Sequence, residues 1–500
     1  MASETNQKLT KLAMGGAMAG VGGKIANVVI GIGSVAILAR LLSPLDYGLF
    51  GLVSICLALS QIVPQSISKV IVQRKDATRA ELDGAFSLVL VAALSASAVL
   101  ILFRGQIAGF FSGADISLPL IFAAVLGPFL SVGAYLEGQL SKKFEFKKNA
   151  FNDFISTLIG QTVLAIVLAY LGFGVWSLLL GMGAAGLIKL GLQIGAGCWR
   201  EFRVGRIQLE TVRRSGWFFL LSICNYLACN ADNIIVGKLL GSEMLGIYQR
   251  AFNLMMRPVL VVGGVTTGVL YPLMSSVQDD TARLRSAYLK SMMLTAFLGL
   301  PMSLVLYVHG REVIDLLFGS RWGAVVEPFK ILVLALFFRL AYRLADAVLL
   351  SIGALRTVTL FQIFYATAVI AGAAIGARWG LSGVATGVAL ALLSYFILSA
   401  SFVNRLLDTS IAGFASTHIA GALVAVVAVV PTLLLRDQVA ALAGSFGVLA
   451  MGGMALAASY ALVLFFRRSL PLDAISRVTL DDLAQRIKKQ LAPLLSKMRR

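Results

Sequence analysis

The sequence predicts an all-α polytopic membrane protein with about 14 transmembrane helices. Of its 500 residues, 58% are hydrophobic and 13% are charged, and the mean hydropathy is +0.88. So few polar side chains cannot cover the surface of water-soluble domains of this size. Apolar stretches of around 20 residues, each able to cross about 30 Å of hydrocarbon, recur along nearly the whole chain.

Fourteen apolar runs are separated by charged or turn-rich breaks. They cover residues 13–39, 48–72, 84–103, 117–138, 151–171, 175–198, 216–240, 246–274, 288–309, 324–352, 355–377, 380–402, 415–435 and 442–466. The first run follows Lys8 and Lys11, as a signal peptide would, but it contains Lys24 and is followed by Arg40. We therefore expect an uncleaved first span.

The net charge of +19 would suggest a nucleic-acid partner in a soluble protein, but here it is explained by membrane topology. If the N-terminus is inside, the basic clusters fall in inside loops, and these are Arg74, Lys75 and Arg79; Lys142, Lys143, Lys147 and Lys148; Arg200, Arg203, Arg206, Arg213 and Arg214; and Arg283 and Arg285. The tail after Phe466 is also basic. The positive-inside rule therefore predicts that both termini are cytoplasmic.

The cysteines and histidines give no sign of a metal site or a disulfide. The four cysteines lie within or at the ends of apolar runs, and they are Cys56, Cys198, Cys224 and Cys229. The chain has no CxxC pair, and its two histidines are His309 and His418. We expect no metal and no cofactor.

An internal repeat relates the first part of the chain to the second. Residues 38–50 (LARLLSPLDYGLF) match residues 236–248 (VGKLLGSEMLGIY) without a gap, and the same register pairs Asn27 with Asn225. A second match joins 172–175 to 380–384, with one additional residue in the second segment. Each motif lies six spans from its copy, so the two halves insert the same way up, as in some transporters.

The repeat predicts how the chain is divided. We expect an N-lobe of six spans at 1–207, a C-lobe of six spans at 208–408, two further spans at 409–466 and a cytoplasmic basic tail at 467–500. In the tail, Leu480, Leu483 and Ile487 begin one apolar helical stripe flanked by basic residues. This pattern favours a helix that lies on the anionic inner leaflet.

Several charged residues fall inside apolar runs, where each requires a partner, water or a function. Arg339, Arg343 and Asp346 share one face of the tenth span. Other polar residues lie in spans one, seven and eight, and these are Lys24, Asn27, Asn225, Asp232 and Arg257. Because basic groups outnumber acids, the set favours an anionic substrate over a cationic drug.

Purely structural interpretations stay open for three of these groups. Arg343 and Asp346 could form a local ion pair that stabilises the helix bundle. Asp232 could be satisfied by neighbouring asparagines or by water, and Lys24 could extend towards the lipid headgroups.

An ordered set of segments resembles the Wzx-type polysaccharide flippases of the multidrug, oligosaccharidyl-lipid and polysaccharide exporter superfamily. The segments are Leu38 to Phe50, Asp232-Asn233, Gly237 to Gly241, Leu245 to Tyr248 with Ala251, Pro258, Tyr271-Pro272, and Phe318-Gly319 before Trp322. The resemblance extends to about residue 405 and is strongest from Asp232 to Trp322.

The resemblance implies two six-helix lobes arranged in a V, in the inner membrane of a bacterium. It also implies a flippase that carries undecaprenyl-diphosphate-linked oligosaccharide to the periplasmic leaflet by alternating access, for exopolysaccharide, capsule or lipopolysaccharide synthesis. Relatives hold the diphosphate in a cationic cavity, and by position the candidates here are Lys24, Arg257, Arg339 and Arg343, with Asn27 and Asn225 beside them. Polysaccharide polymerase or co-polymerase proteins are candidate partners.

Coupling to protons or sodium would require an acid, and Asp232 and Asp346 are the candidates. A lipid II flippase and a cation-coupled drug antiporter of the same superfamily are the nearest alternatives. A membrane polymerase or glycosyltransferase would require a large periplasmic loop for its catalytic groups, and the loops at 104–116 and 310–323 are too short. We therefore predict a transporter rather than an enzyme.

Overall fold

The computed structural model describes residues 30–73, 78–111, 115–143, 145–197, 203–207, 209–265, 271–467, 469 and 475–485, and these residues form helices and connecting turns without a strand. The helices of the first part are α1 (Ile30–Leu41), α2 (Pro44–Gln73), α3 (Arg79–Leu102), α4 (Arg104–Phe110), α5 (Ser117–Lys142), α6 (Phe146–Ser156), a π-helical segment (Thr157–Leu164), α7 (Ala165–Tyr170), α8 (Val175–Gly195), α9 (Leu209–Leu239) and α10 (Ser242–Val265). Those that follow are α11 (Tyr271–Ser276), α12 (Thr281–Val308), α13 (Gly310–Leu317), a 3₁₀ turn (Ser320–Val325), α14 (Val326–Leu334), α15 (Leu336–Ser351), α16 (Leu355–Gly376), a 3₁₀ turn (Ala377–Trp379), α17 (Gly380–Leu406), α18 (Ile411–Ser416), α19 (Ile419–Phe466) and α20 (475–485).

Eight helical stretches of the described chain are long and apolar enough to cross a membrane. They are Pro44–Ile67, Arg79–Leu102, Ser117–Lys142, Lys147–Tyr170, Val175–Gly195, Thr281–Val308, Leu355–Leu406 and Ile411–Phe466. This confirms the predicted class, an all-α membrane protein. The total of about 14 crossings stays a prediction.

The last two stretches, of 52 and 56 residues, are each interrupted by glycine. Gly380 follows the 3₁₀ turn at φ +67°, and Gly444 breaks the helical geometry of α19 at φ +59°, a region that favours glycine. The 48 residues of α19 would otherwise extend about 72 Å, more than twice the hydrocarbon thickness. Each stretch is therefore long enough for two crossings.

The predicted tenth span is two helices rather than one. The chain leaves regular helical geometry at Ala335, between α14 and α15. Ser303 of α12 accepts a hydrogen bond from the backbone N–H of Phe337 at 3.1 Å, so a donor near the break is satisfied by a neighbouring helix. The break makes Arg339, Arg343 and Asp346 part of a separate helix, α15.

The described chain forms two compact units. Unit 1 runs to Arg250 and includes Leu317–Gly319 and Val369–Val384, and unit 2 contains the remaining residues. In unit 1, helices α2, α3, α5 and α8 share a core that includes Ile67, Phe86 and Leu136. The predicted lobe boundaries were drawn from the repeat and stay predictions.

Unit 2 is organised around α12, which packs against α14, α15 and α19. Glu312, at the start of α13, accepts from Arg436 in the first half of α19, and the ring of His309 lies against Gly452 in the second half. Towards the other end of α12, Tyr460 donates to the carbonyl of Phe297 at 3.1 Å. The two halves of α19 therefore run along α12 in opposite directions.

The C-terminal helix α20 is docked onto unit 2. Leu480 is fully buried in a core with Met293, Phe297 and Val463, and Arg467 forms an ion pair with Asp481 at 2.6 Å. This part of the predicted membrane-surface stripe therefore packs against protein. Residues 486–500 lie outside the described residues.

The two copies of the repeat contact each other at equivalent positions in unit 1. A Cβ on Gly48 would meet the carbonyl oxygen of Ser242, and a Cβ on Gly246 would meet the carbonyl oxygen of Pro44. The repeat aligns Gly48 with Gly246 and Pro44 with Ser242, so the contact is reciprocal. Such an arrangement is expected where two like elements cross at a local two-fold axis.

Candidate functional site

Helix α15 carries the three charges that the sequence placed on one face. Arg339 is 1% exposed, whereas Arg343 and Asp346 are only partly buried. The guanidinium of Arg339 lies 5.2 Å from the centre of the Phe252 ring of α10, a cation–π distance. Arg339 is thus enclosed by protein, and the more accessible cation of this face is Arg343.

Asp346 is held by neutral donors from the two following helices. The hydroxyl of Tyr395 in α17 donates to Oδ1 at 2.9 Å, and the amide of Gln362 in α16 donates to Oδ2 at 3.3 Å. The Gln362 amide also donates to the Tyr395 hydroxyl at 3.0 Å. Both carboxylate oxygens of Asp346 therefore act as hydrogen-bond acceptors.

A cluster of tyrosines holds Tyr395, one of the two donors to Asp346, in place. The ring of Tyr395 lies 4.8 Å from that of Tyr342 and 4.9 Å from that of Tyr365, within the range of favourable aromatic contacts. Tyr395 and Tyr365 are almost fully buried. The position of the Tyr395 hydroxyl is therefore fixed by packing as well as by its hydrogen bonds.

Arg343 is not used by this network. Its Nε is buried without a hydrogen-bond acceptor among the described residues, and no ion pair joins it to Asp346 within that part of the chain. The local pair that the sequence left open is therefore absent from this arrangement. The guanidinium of Arg343 keeps its donors for another group.

The other predicted residues fall in different places. Arg257 is partly buried in α10, in the same unit as Arg339 and Arg343. Asn225 is exposed on α9, in unit 1. Lys24 and Asn27 lie outside the described residues.

Asp232 is buried in unit 1, with 1% of its surface exposed. Its Oδ2 accepts from the Tyr248 hydroxyl of α10 at 2.8 Å. Its Oδ1 accepts from the backbone N–H and side-chain amide of Asn233, at 2.8 and 3.1 Å. Asp232 thus joins α9 to α10 at the start of the second repeat copy.

Sequence reasoning missed an ion triad in unit 1. The Lys189 ammonium of α8 lies 2.7 Å from Glu137 of α5 and 2.6 Å from Asp153 of α6. Each of the three is a charged residue within or next to an apolar run, which was the available signal. Their pairing was not predictable, because it joins three helices.

A buried arginine near the glycine crossing was missed as well. Arg250 of α10 is 7% exposed, and its guanidinium lies 3.9 Å from the centre of the Tyr47 ring of α2. This contact lies within unit 1 and joins the first repeat copy to α10, the helix in which the second copy ends. The charge of Arg250, eight residues into α10, was the only signal in the sequence.

Comparison with known proteins identifies the family. A family model described as "Polysaccharide biosynthesis protein" matches residues 37–327, which is more than half of the chain. The chain belongs to this family. The match confirms the resemblance noted from the sequence and supports a transporter rather than an enzyme.

Individual relatives have related names, and one solved structure has a similar fold. The chain is 24% identical to the lipopolysaccharide biosynthesis protein WzxC of Escherichia coli over 74% of its own length and 78% of the relative. It is 27% identical to the succinoglycan biosynthesis transport protein ExoT of Rhizobium meliloti, over 58% of this chain and 59% of that one. The lipid II flippase MurJ, in an inward closed conformation, has a similar fold, with a TM-score of 0.69, 13% identity and coverage of 91% of this chain and 99% of MurJ.

Proposed function

We propose that this protein is a flippase that carries polyprenyl-diphosphate-linked oligosaccharide from the cytoplasmic to the periplasmic leaflet of a bacterial inner membrane. The passenger we infer is undecaprenyl diphosphate bearing an oligosaccharide repeat unit. The observation that carries the proposal is an arginine whose donors are not consumed by the acid one turn away on the same helix. Relatives named for lipopolysaccharide biosynthesis and succinoglycan transport support the same substrate class.

Arginine suits the diphosphate for geometric reasons. Its planar guanidinium binds phosphate oxygens in pairs and stays protonated at any physiological pH. We assign Arg343 the main contact, with Arg257 as a further cation of the same unit. Lys24, Asn27 and Asn225 stay candidates from the sequence. Arg339, which is enclosed beside Phe252, would add positive potential rather than a direct bond.

The membrane potential favours the proposed direction. Moving a negative charge outward, when the inside is negative, releases roughly 2.3 kcal/mol per charge per 100 mV. A diphosphate that the protein neutralises only in part would therefore be driven outward. The proton or sodium coupling that we also propose would use Asp346 or Asp232, and pH- or sodium-dependent flipping that is lost in Asp346→Asn or Asp232→Asn would support it.

The proposed orientation places both termini in the cytoplasm, as the distribution of lysine and arginine predicts. A polymerase or co-polymerase on the periplasmic side is a proposed partner, since the flipped repeat unit is its substrate. Crossing of the lipid through an opening between helices would keep the polyprenyl chain in the bilayer.

Reconstitution of the full chain into vesicles tests the proposal. Fluorescent undecaprenyl-diphosphate oligosaccharide in the membrane should become accessible from the opposite leaflet only in protein-containing vesicles, with unchanged chemical structure. Lipid II added in parallel tests the alternative cargo. A covalently altered product, or equal rates with and without protein, would contradict the proposal.

A further inference from the structure

Arg343 and Asp346 present a physical problem. They carry opposite charges one helical turn apart on α15, a spacing at which such side chains attract each other. Their surroundings are apolar and partly buried, which strengthens the attraction. Yet Asp346 takes its hydrogen bonds from Tyr395 and Gln362.

We infer that Tyr395 and Gln362 are positioning residues that hold Asp346 away from Arg343 and thereby keep the arginine available for the substrate phosphate. The inference rests on the proposed function and assigns roles to two residues that do not touch the substrate. Tyr395 fixes Oδ1 from α17, and Gln362 fixes Oδ2 from α16.

Asp346 and the substrate phosphate compete for the same hydrogen-bond donors of Arg343. A carboxylate binds a guanidinium through two parallel hydrogen bonds, which is the geometry that phosphate also uses. An Asp346 that reached Arg343 would therefore occupy the donors that the diphosphate requires. As part of the same helix, the aspartate would compete at high effective concentration.

The tyrosine cluster fixes the position of the Tyr395 hydroxyl. Tyr395 is packed between Tyr342 and Tyr365, so its hydroxyl cannot follow a moving carboxylate. Loss of that hydroxyl would leave Oδ1 of a partly buried carboxylate without its donor. Arg343, one turn away, is then the nearest cation on α15 that could replace it.

The test measures binding of undecaprenyl diphosphate to the purified full chain in detergent, with undecaprenol as the uncharged control. Tyr395→Phe removes only the hydroxyl, and it should weaken diphosphate binding by at least about tenfold, the loss expected when one charge-assisted contact is withdrawn. Asp346→Asn alone is measured as the reference for the double variant. The double variant Tyr395→Phe/Asp346→Asn should recover affinity to within about threefold of the starting protein, because the competing charge is gone.

A matched control separates this role from general packing. Tyr365→Phe removes a hydroxyl from the same cluster that does not bond to Asp346, and it should leave affinity unchanged. If Tyr395→Phe fails to fold, Gln362→Leu releases the other oxygen and should show the same rescue by Asp346→Asn.

The outcomes distinguish the inference from the proposed function. Normal affinity in Tyr395→Phe, or a loss that Asp346→Asn does not restore, would overturn the positioning role. A starting protein that binds undecaprenyl diphosphate no better than undecaprenol would instead overturn the proposed function.

Discussion

Half-buried cations have different partners in the two units. In unit 1, Lys189 is bracketed by Glu137 and Asp153, which come from two other helices and lie within 2.7 Å. In unit 2, Arg343 has an acid one turn away that is bonded to Tyr395 and Gln362 instead. The first arrangement pairs the cation with two acids, and the second leaves the hydrogen-bond donors of the cation unused within the described chain.

This difference separates structural from functional charges in a membrane protein. A cation paired with acids on neighbouring helices joins those helices and has little left to offer a substrate. A cation whose nearby acid accepts its hydrogen bonds from neutral groups keeps its own hydrogen-bond donors unused. Burial alone would not distinguish the two cases.

The largest expected effect tests Arg343, the cation whose hydrogen-bond donors are unused among the described residues. Arg343→Gln should slow flipping of the lipid-linked oligosaccharide by about ten- to a hundredfold, since a charge-assisted contact contributes about 1.5–3 kcal/mol. The vesicle assay checks this, with Arg356→Gln as control because that arginine is exposed in the same unit. Equal rates in the two variants would remove the functional distinction between the units.

The second expected effect tests whether unit 1 acts by packing. Gly246→Ala places a methyl group against the backbone of Pro44 and Gly48, which must shift, and overpacking of this kind costs about 1–3 kcal/mol. We expect a lower melting temperature and lower yield. In Gly191→Ala the added methyl group meets open space, so stability should stay the same or rise.

The third effect tests Lys189, the cation that is paired with two acids. Lys189→Met leaves Glu137 and Asp153 facing each other without a cation, and because both are about 40% exposed the cost should be screened to about 1 kcal/mol. Thermal unfolding should shift by a few degrees, whereas flipping per folded molecule should stay within about twofold. A transport defect larger than that of Arg343→Gln would reverse our comparison.

The smallest effect concerns an ion pair in unit 2 that resembles the triad of unit 1. Glu312 pairs with Arg436 next to His309. Burial lowers the pKa of His309; the charge of Glu312 acts against this shift, and the charge of Arg436 adds to it. The fold therefore favours neutral His309, and the unfolded chain binds the additional proton as pH falls below about 6.5. Stability should decline from pH 7.5 to pH 5.5.

His309→Gln provides the comparison for that decline. The variant should lose less stability than the starting protein over the same pH range, as measured by thermal unfolding at each pH. His418, the only other histidine, is present in both proteins. Parallel pH profiles would show that His309 does not contribute.

Local sequence patterns were enough to predict the membrane class, the repeat and the charged face of α15. Apolar runs reflect the thickness of the bilayer, and the spacing of Arg339, Arg343 and Asp346 reflects the period of one helix. The aligned glycines Gly48 and Gly246 were visible as a repeated motif, although their mutual contact was not.

The sequence did not predict which residues bond to each charged side chain. Asp346 takes its donors from residues 16 and 49 positions along the chain, and Lys189 meets an acid 52 positions away. Helical periodicity places side chains on faces, but it does not determine which faces of different helices meet.

The sequence by itself therefore determined that this protein spans a membrane, contains an internal repeat and carries charged residues inside apolar spans. Only the tertiary structure decided that Lys189 forms ion pairs with two acids and that Arg343 forms none with Asp346. The physical reason is that hydrophobicity and helix period are properties of single segments, whereas neutralisation of a charge depends on donors and acceptors that packing brings from distant ones.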